Sequence, residues 1–146
     1  RPPRETAMIT QLGHVAYSVS NLDAALDFYC VKLGLSEAFR LFHDDGSPWI
    51  VYLLVGHGGF LELFPGGQPG AGRVEGSYRH LCLVVDDMAA TLAELRARGM
   101  ALAGEANVGK DGNTQFWLTD PDGNRIELMQ IAPDSLQAQA IRRGAG

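Results

Sequence analysis

Residues 13–35 read GHVAYSVSNLDAALDFYCVKLGL, and residues 79–101 read RHLCLVVDDMAATLAELRARGMA. Near the start of each stretch a histidine begins an alternating, strand-like pattern. A residue typical of a helix N-cap follows, and after it apolar residues recur at helical spacing. Each apolar stripe stops at a glycine, which suits a helix end. From His14 to Gly34 is 20 residues, and from His80 to Gly99 is 19. The two stretches therefore predict one strand–helix unit, written twice.

Three further strand candidates follow each predicted helix. In the first copy they are SEAFRLF, PWIVYLLV and FLELF, and in the second they are roughly ALAGEAN, TQFWLTD and RIELMQI. Asn21 is the predicted N-cap of the first helix, and Asp86 or Asp87 that of the second. The sequence DPDGN at 120–124 predicts a tight turn joining the last two strands. Each copy thus reads β-α-β-β-β, and the fold class is α+β.

A histidine and a glutamate occupy equivalent places in the two copies. His14 is followed by Glu62 after 48 residues, and His80 by Glu127 after 47. Strand alternation sets these residues on the face opposite the bulkier apolar side chains, which should pack under the helices. A carboxylate among aromatic and apolar neighbours is costly to bury without a partner. The pattern predicts one metal site built from two halves.

Composition limits the classes of function. The 146 residues are 46% apolar, enough for one domain, and the net charge of −5 without a basic stripe argues against a nucleic acid partner. No apolar run approaches the roughly 20 residues of a membrane span. Cys30 and Cys82 alone make a disulfide framework improbable, so a reducing cytoplasm is expected. RPPRETA lacks a signal-peptide core, and Met8 is a candidate first residue.

These patterns define the predicted organisation of the chain. We expect a single domain over 1–146, with module one at 9–66 and module two at 77–132. The Gly/Pro-rich stretch from Pro65 to Gly72 links the modules. The tail at 133–146 is expected to contain a short surface helix.

The quoted words, together with LTDPDGNRIELMQ, resemble the vicinal oxygen chelate superfamily of glyoxalase I, bleomycin resistance proteins and dioxygenases. The likeness is to glyoxalase I in particular and covers nearly all of residues 9–131. It implies two tandem βαβββ modules that form a cupped, mostly antiparallel sheet around a divalent metal. Its ligands would be His14, Glu62, His80 and Glu127. Relatives often assemble the site from modules of two subunits, so we expect a homodimer.

The donor set and the resemblance together imply a reaction. Imidazoles and carboxylates suit Zn, Ni, Co, Mn or Fe(II), with Zn or Ni favoured. Four protein ligands leave two octahedral positions for the vicinal oxygens of a small hydroxy-ketone, which is sugar- or cyclitol-like in some relatives. The metal would stabilise the enediolate formed when the α-proton leaves. By resemblance Glu127 is the catalytic base and Glu62 its partner, as in a metal-dependent isomerase, epimerase or glyoxalase-like lyase.

Other residues are predicted to contact the substrate. Phe60, Phe64, Met129 and Trp117 would wall the pocket. Lys110 and Asn113, in the loop GKDGN, would reach over its mouth, although a plain solvated loop fits them as well. His43 and His57 lie in loop-like contexts and are interpreted as surface groups.

Three alternatives stay open. A glutathione-dependent lactoylglutathione lyase is one, although bacterial glyoxalase I enzymes usually carry Arg where this chain has Ser18, and Asn shortly after the first glutamate, where it reads LFPGG. An Fe(II) dioxygenase is another, but it usually needs two His and one Glu. A non-catalytic binding or resistance protein generally lacks the full ligand set. Methylmalonyl-CoA epimerases share the fold but usually have Gln in place of Glu62.

Overall fold

Each copy of the repeat folds into its own four-stranded sheet in the computed structural model, which describes residues 8–144. The seven residues before Met8 lie outside that range. The first sheet has the order β1-β4-β3-β2, formed by β1 (His14–Val19), β2 (Ser36–Phe42), β3 (Pro48–Val55) and β4 (Gly59–Pro65). The second has the order β5-β8-β7-β6, formed by β5 (Leu81–Val84), β6 (Asn107–Val108), β7 (Thr114–Thr119) and β8 (Arg125–Gln130). The predicted α+β class and tandem modules are confirmed.

Both sheets have the same mixed pairing. β1 runs parallel to β4 and β5 parallel to β8, while the remaining neighbours are antiparallel. Within the described residues no ladder joins one sheet to the other, so the sheet expected from the two modules consists of two four-stranded halves. The strand predicted at 101–107 was wrong, because β6 covers only Asn107–Val108. Gly104, at φ 79°, adopts a left-handed conformation that interrupts an extended chain.

The helices begin where the sequence predicted. Asn21 accepts a hydrogen bond from the Ala24 amide at 2.9 Å and starts α1 (Leu22–Leu26), and Asp87 caps α2 (Met88–Ala97). Gly34 and Gly99 follow at φ 79° and 88°, as predicted for helix ends.

The first helix differs from the single α-helix expected before Gly34. It continues as a π-helical segment at Asp27–Lys32, in which the Leu33 amide donates to the Phe28 carbonyl five residues earlier, at 2.9 Å. In this wider turn the consecutive residues Phe28 and Tyr29 are both buried. Hydrophobic periodicity does not distinguish such a turn from a regular helix.

One hydrophobic core unites the two modules. Leu61 and Leu63, on either side of Glu62, are at most 2% exposed, and so are Ile126 and Leu128 on either side of Glu127. All four belong to a single cluster with residues of both helices. Each sheet therefore buries one face in the shared core, which leaves the glutamates on the other face.

The DPDGN turn fastens the modules together. It closes as predicted, with the Asp120 amide donating to the Asn124 carbonyl at 2.9 Å. Tyr29 donates its hydroxyl to Asp120 at 2.6 Å. Asp122 accepts from the Ser20 amide at 2.9 Å and the Ser20 hydroxyl at 2.5 Å. A turn in module two thus binds two residues of module one.

The tail forms the predicted short helix, α3 (Leu136–Gly144), which packs Ala138 against the protein. Among the described helices, none has both the length and the apolar character needed to cross a membrane.

Candidate metal centre

Strand order gives the two glutamates equivalent positions. Each lies on a strand flanked on both sides, Glu62 on β4 and Glu127 on β8. Glu62 is opposite Ala16 of β1 and Tyr52 of β3. Glu127 is opposite Cys82 of β5 and Trp117 of β7. The sequence repeat is therefore a repeat of position within the sheets.

Each glutamate is paired with the predicted histidine of its own module. His14 stands two residues before Ala16 and therefore on the same face of β1, and its Nε2 contacts Oε2 of Glu62. His80 stands two residues before Cys82, and its Nε2 lies 3.3 Å from Oε2 of Glu127. In both modules the histidine reaches diagonally across a parallel strand pair to the glutamate.

The geometry of the second pair, His80 with Glu127, fits two ligands of one cation. Two ligand atoms that each lie about 2.1 Å from one ion stand about 3.0–3.4 Å apart at octahedral or tetrahedral angles. The Nε2–Oε2 distance of 3.3 Å for His80 and Glu127 falls in this range. Both glutamates are buried, with 4% of Glu62 and 8% of Glu127 exposed. Buried carboxylates demand a charged or hydrogen-bonding partner, and imidazole nitrogen with carboxylate oxygen is a donor set that Zn²⁺ and related ions accept.

One chain does not assemble the four predicted ligands. Among the described residues, no three His, Cys, Asp or Glu side chains are grouped so that they could hold a metal ion. His14 with Glu62 and His80 with Glu127 are thus two separate pairs, which we call half-site one and half-site two. Each supplies two of the four ligands predicted from the sequence.

Half-site one has an aromatic wall. Tyr52 forms a hydrogen bond with Glu62, which raises the pKa of the Tyr52 phenol. Phe39 stacks on Tyr52 with ring centroids 4.2 Å apart, and Phe60 meets Tyr52 edge-on at 6.2 Å. This half-site therefore presents a carboxylate beside a neutral, apolar surface.

Half-site two has a different wall. The rings of His80 and Trp117 meet edge-on at 4.8 Å, and the Arg125 guanidinium lies 4.3 Å from the centroid of the Trp117 ring. Cys82 Sγ lies 3.7 Å from Oε1 of Glu127. Burial, followed by the charge of Glu127, raises the pKa of the Cys82 thiol to about 11. The thiol therefore stays neutral at physiological pH.

The other predicted substrate contacts differ in their surroundings. Phe64 shares a strand face with Glu62 and is half-buried, and Lys110 is exposed in its loop. Met129 is 5% exposed.

Asn113 is 1% exposed, and its amide group contacts Asp111, Met129, Gln137 and the Ala132 backbone. This placement makes Asn113 an anchor for α3 and counts against its predicted contact with a substrate.

Sequence reasoning missed Tyr52, Phe39 and the position of Arg125 over Trp117. Tyr52 reaches Glu62 because β3 pairs with β4 in one particular register. Nothing in PWIVYLLV specifies that register. Arg125 stands two residues before Glu127 and so on the same strand face, which was the available signal.

Comparison with protein families shows the class of protein to which the chain belongs. Residues 11–128 match the family model described as the Glyoxalase/Bleomycin resistance protein/Dioxygenase superfamily. The chain belongs to this superfamily, which confirms the family identified from the sequence.

The relatives carry several different activities. A probable lactoylglutathione lyase from Synechocystis sp. is 28% identical, over 83% of this chain and 95% of that protein. The ethylmalonyl-CoA/methylmalonyl-CoA epimerase of Cereibacter sphaeroides is 29% identical, over 85% of this chain and all of that protein. TnmS3, an antibiotic binding protein from Streptomyces sp. CB03234, is 28% identical with a TM-score of 0.65, covering 87% of this chain and all of that one.

Proposed function

We propose that this protein is a metal-dependent isomerase, epimerase or glyoxalase-like lyase acting on a small vicinal hydroxy-ketone. The observation that carries the proposal is the matched His–Glu pair in each module. A second copy of the chain would place half-site one of one subunit against half-site two of the other. His14, Glu62, His80 and Glu127 would then hold one divalent ion, and a homodimer would contain two such centres.

A divalent ion bound by this set supplies Lewis acidity toward the two oxygens of the substrate. The protein supplies the base. Glu127 is nearly buried, with His80 and Cys82 beside its carboxylate. A carboxylate screened from water and next to the bound ketone can remove the α-proton and return it to another face or carbon. Glu62 would act from the opposite side, oriented by Tyr52.

Exchange of substrate hydrogen with solvent deuterium tests the reaction. Purified protein, before and after removal of metal by a chelator, would be incubated in D₂O with a panel of sugar- and cyclitol-like hydroxy-ketones. We expect deuterium at the α-carbon of one of them, lost on chelation, restored by Zn²⁺ or Ni²⁺ and lost again in Glu127→Gln. Protein without stoichiometric metal, with exchange unchanged in Glu127→Gln, would contradict the proposal.

A lactoylglutathione lyase is the second candidate, favoured by the names of several relatives. Ser18 and the sequence LFPGG stand where bacterial glyoxalase I enzymes usually have the Arg and the Asn. For this reason the glutathione-dependent activity is the second candidate. The methylglyoxal–glutathione adduct tests it directly, because the lyase converts the adduct to a thioester with a measurable absorbance change. A flat trace from metal-loaded protein would exclude this activity.

Non-catalytic binding is the third candidate, favoured by the similarity to an antibiotic binding protein. Two complete His–Glu pairs argue against it, because ligand storage needs no metal quartet. A metal content near zero in protein purified without chelator would support the binding role instead.

A further inference from the structure

A cavity of about 430 Å³ lies beside half-site two and is lined by three arginines. Arg73 lies between the modules, Arg79 lies at the start of module two, just before β5, and Arg125 starts β8. The one acidic residue in the lining is Glu75. Cavities of this size accept small molecules, and the excess of positive charge selects an anion.

Contacts with both modules fix the backbone that carries these arginines. The carbon chain of Arg73 lies against Gly123, where an added Cβ would stand 2.3 Å from Cγ of Arg73. Arg79 follows Tyr78, whose hydroxyl donates to the Arg125 carbonyl at 2.9 Å and hydrogen bonds with Tyr17 at 2.8 Å. The cavity is thus bounded by residues 72–79, which contact module one through Tyr78 and module two through Arg73.

The guanidinium groups are available to a ligand. Among the residues described by the structure, no carboxylate forms an ion pair with Arg73, Arg79 or Arg125. Arg125 instead lies over Trp117. Guanidinium groups bind carboxylates and phosphates through paired hydrogen bonds, which a lone surface lysine does not reproduce.

The cavity adjoins the proposed reaction centre along the strands. Arg125 pairs with Thr119 across the β7–β8 ladder, and both line the cavity. Glu127 and Trp117 form the pair two residues further on. Arg125 and the predicted base Glu127 lie two residues apart on β8 and therefore on the same face of the sheet. Two residues along a strand cover about 7 Å, a distance that a small molecule can span.

We infer that this cavity binds an anionic group, a carboxylate or a phosphate, on the substrate of half-site two. The assignment to a substrate rests on the proposed function, whereas the anion site itself does not. It narrows the proposed sugar- and cyclitol-like hydroxy-ketones to those that carry a carboxylate or a phosphate.

Binding of inorganic phosphate and of malonate to metal-free protein tests the site. Metal-free protein is used because both probes chelate cations. In a Trp49→Phe background Trp117 is the single tryptophan, and its fluorescence reports on Arg125 above it. The double variant Arg73→Gln/Arg79→Gln keeps Arg125 and should weaken binding about tenfold. Arg96→Gln, an exposed arginine of α2 outside the cavity, is the matched control and should bind as the background does.

A saturable response to phosphate indicates a phosphorylated substrate, and a tighter response to malonate indicates a carboxylate. A response that chloride reproduces at equal ionic strength, or that falls equally in Arg96→Gln, would overturn the inference. Metal content measured separately keeps the two claims apart. Metal binding without anion binding would contradict the anion site and leave the proposed function unaffected. Anion binding without metal binding would contradict the proposed function alone.

Discussion

Half-site one and half-site two present the same ligand pair in different surroundings. Glu62 is bordered by Tyr52 and a stack of aromatic rings, whereas Glu127 is bordered by a neutral thiol and by Trp117 with Arg125 above it. The side chain of His14 is 56% exposed and that of His80 is 35% exposed. The repeat thus places the two His–Glu pairs at equivalent positions, but the side chains around the two pairs differ. Because their surroundings differ, the two glutamates can have different roles.

The largest expected effect separates the two glutamates as bases. Glu127→Gln should lower the rate of deuterium exchange, per bound metal, by about 10³-fold, because a positioned general base contributes about 10²–10⁴-fold. Glu62→Gln, its matched counterpart, should lower the same normalised rate by less. Metal content, measured for each variant, provides the normalisation. Equal losses in both variants would show that the two pairs are functionally equivalent.

The next effect concerns the contact between the DPDGN turn and module one, which holds the two modules together. Asp122→Asn should lower the free energy of unfolding by about 2–3 kcal/mol, because a buried carboxylate with backbone and hydroxyl donors is lost. The exposed Asp44→Asn is the control and should unfold like the wild type. Urea titrations of the three proteins provide the measurement. An Asp122→Asn variant as stable as wild type would contradict the role of the turn.

The contribution of Asp122 to the free energy of unfolding should also depend on pH. Burial raises the pKa of Asp122, but hydrogen bonds from Ser20 and Gly70 outweigh it and the net pKa is lowered. The contribution of a carboxylate with a lowered pKa is present above the unfolded value, about 3.9, and declines as pH falls through the folded value. The difference in unfolding free energy between wild type and Asp122→Asn should therefore shrink below about pH 4. A difference that is constant from pH 7 to pH 3 would contradict this cause.

A smaller effect tests whether the two walls act differently on their ligands. Tyr52→Phe removes the hydroxyl beside Glu62 and should weaken metal affinity about tenfold, as loss of a group that orients a ligand typically does. Cys82→Ala, on the parallel strand β5 beside Glu127, should change affinity less, because a thiol is a weak donor. Competition with a chromogenic chelator measures both. A larger loss in Cys82→Ala would reverse the comparison.

The smallest effect concerns the two remaining histidines. His43 and His57 are exposed and lie outside both half-sites. Replacing either by Ala should leave metal content unchanged and shift the free energy of unfolding by no more than about 0.5 kcal/mol. Loss of metal in either variant would show that the quartet is wrongly composed.

Much of this architecture follows from local rules that the sequence displays. Asn21, Asp87, Gly34 and Gly99 act as their side chains and backbone freedom predict, and the DPDGN turn closes as expected. The strand candidates SEAFRLF and PWIVYLLV form β2 and β3 at the predicted residues. The weakly patterned segment at 101–107 does not form the predicted strand, because alternation there is interrupted by glycine.

Features that depend on pairing between distant strands were not accessible from the sequence. Face alternation predicts that His14 and Glu62 share a side, but not that β1 and β4 are parallel neighbours. The register of β3 on β4 brings Tyr52 to Glu62, and the path of the linker brings Arg73 to Gly123. The separation of the quartet into two pairs likewise depends on how the modules pack, which periodicity does not encode.

Mixing two inactive variants tests most directly whether the half-sites of different subunits complete each other. His14→Ala and His80→Ala would each be prepared alone, then unfolded together, refolded and assayed for bound metal. We expect neither variant alone to bind stoichiometric metal. Random pairing makes half of the dimers mixed, each with one intact centre, so the mixture should regain about a quarter of the wild-type metal. No recovery in a mixture shown to contain mixed dimers would contradict a centre shared between subunits.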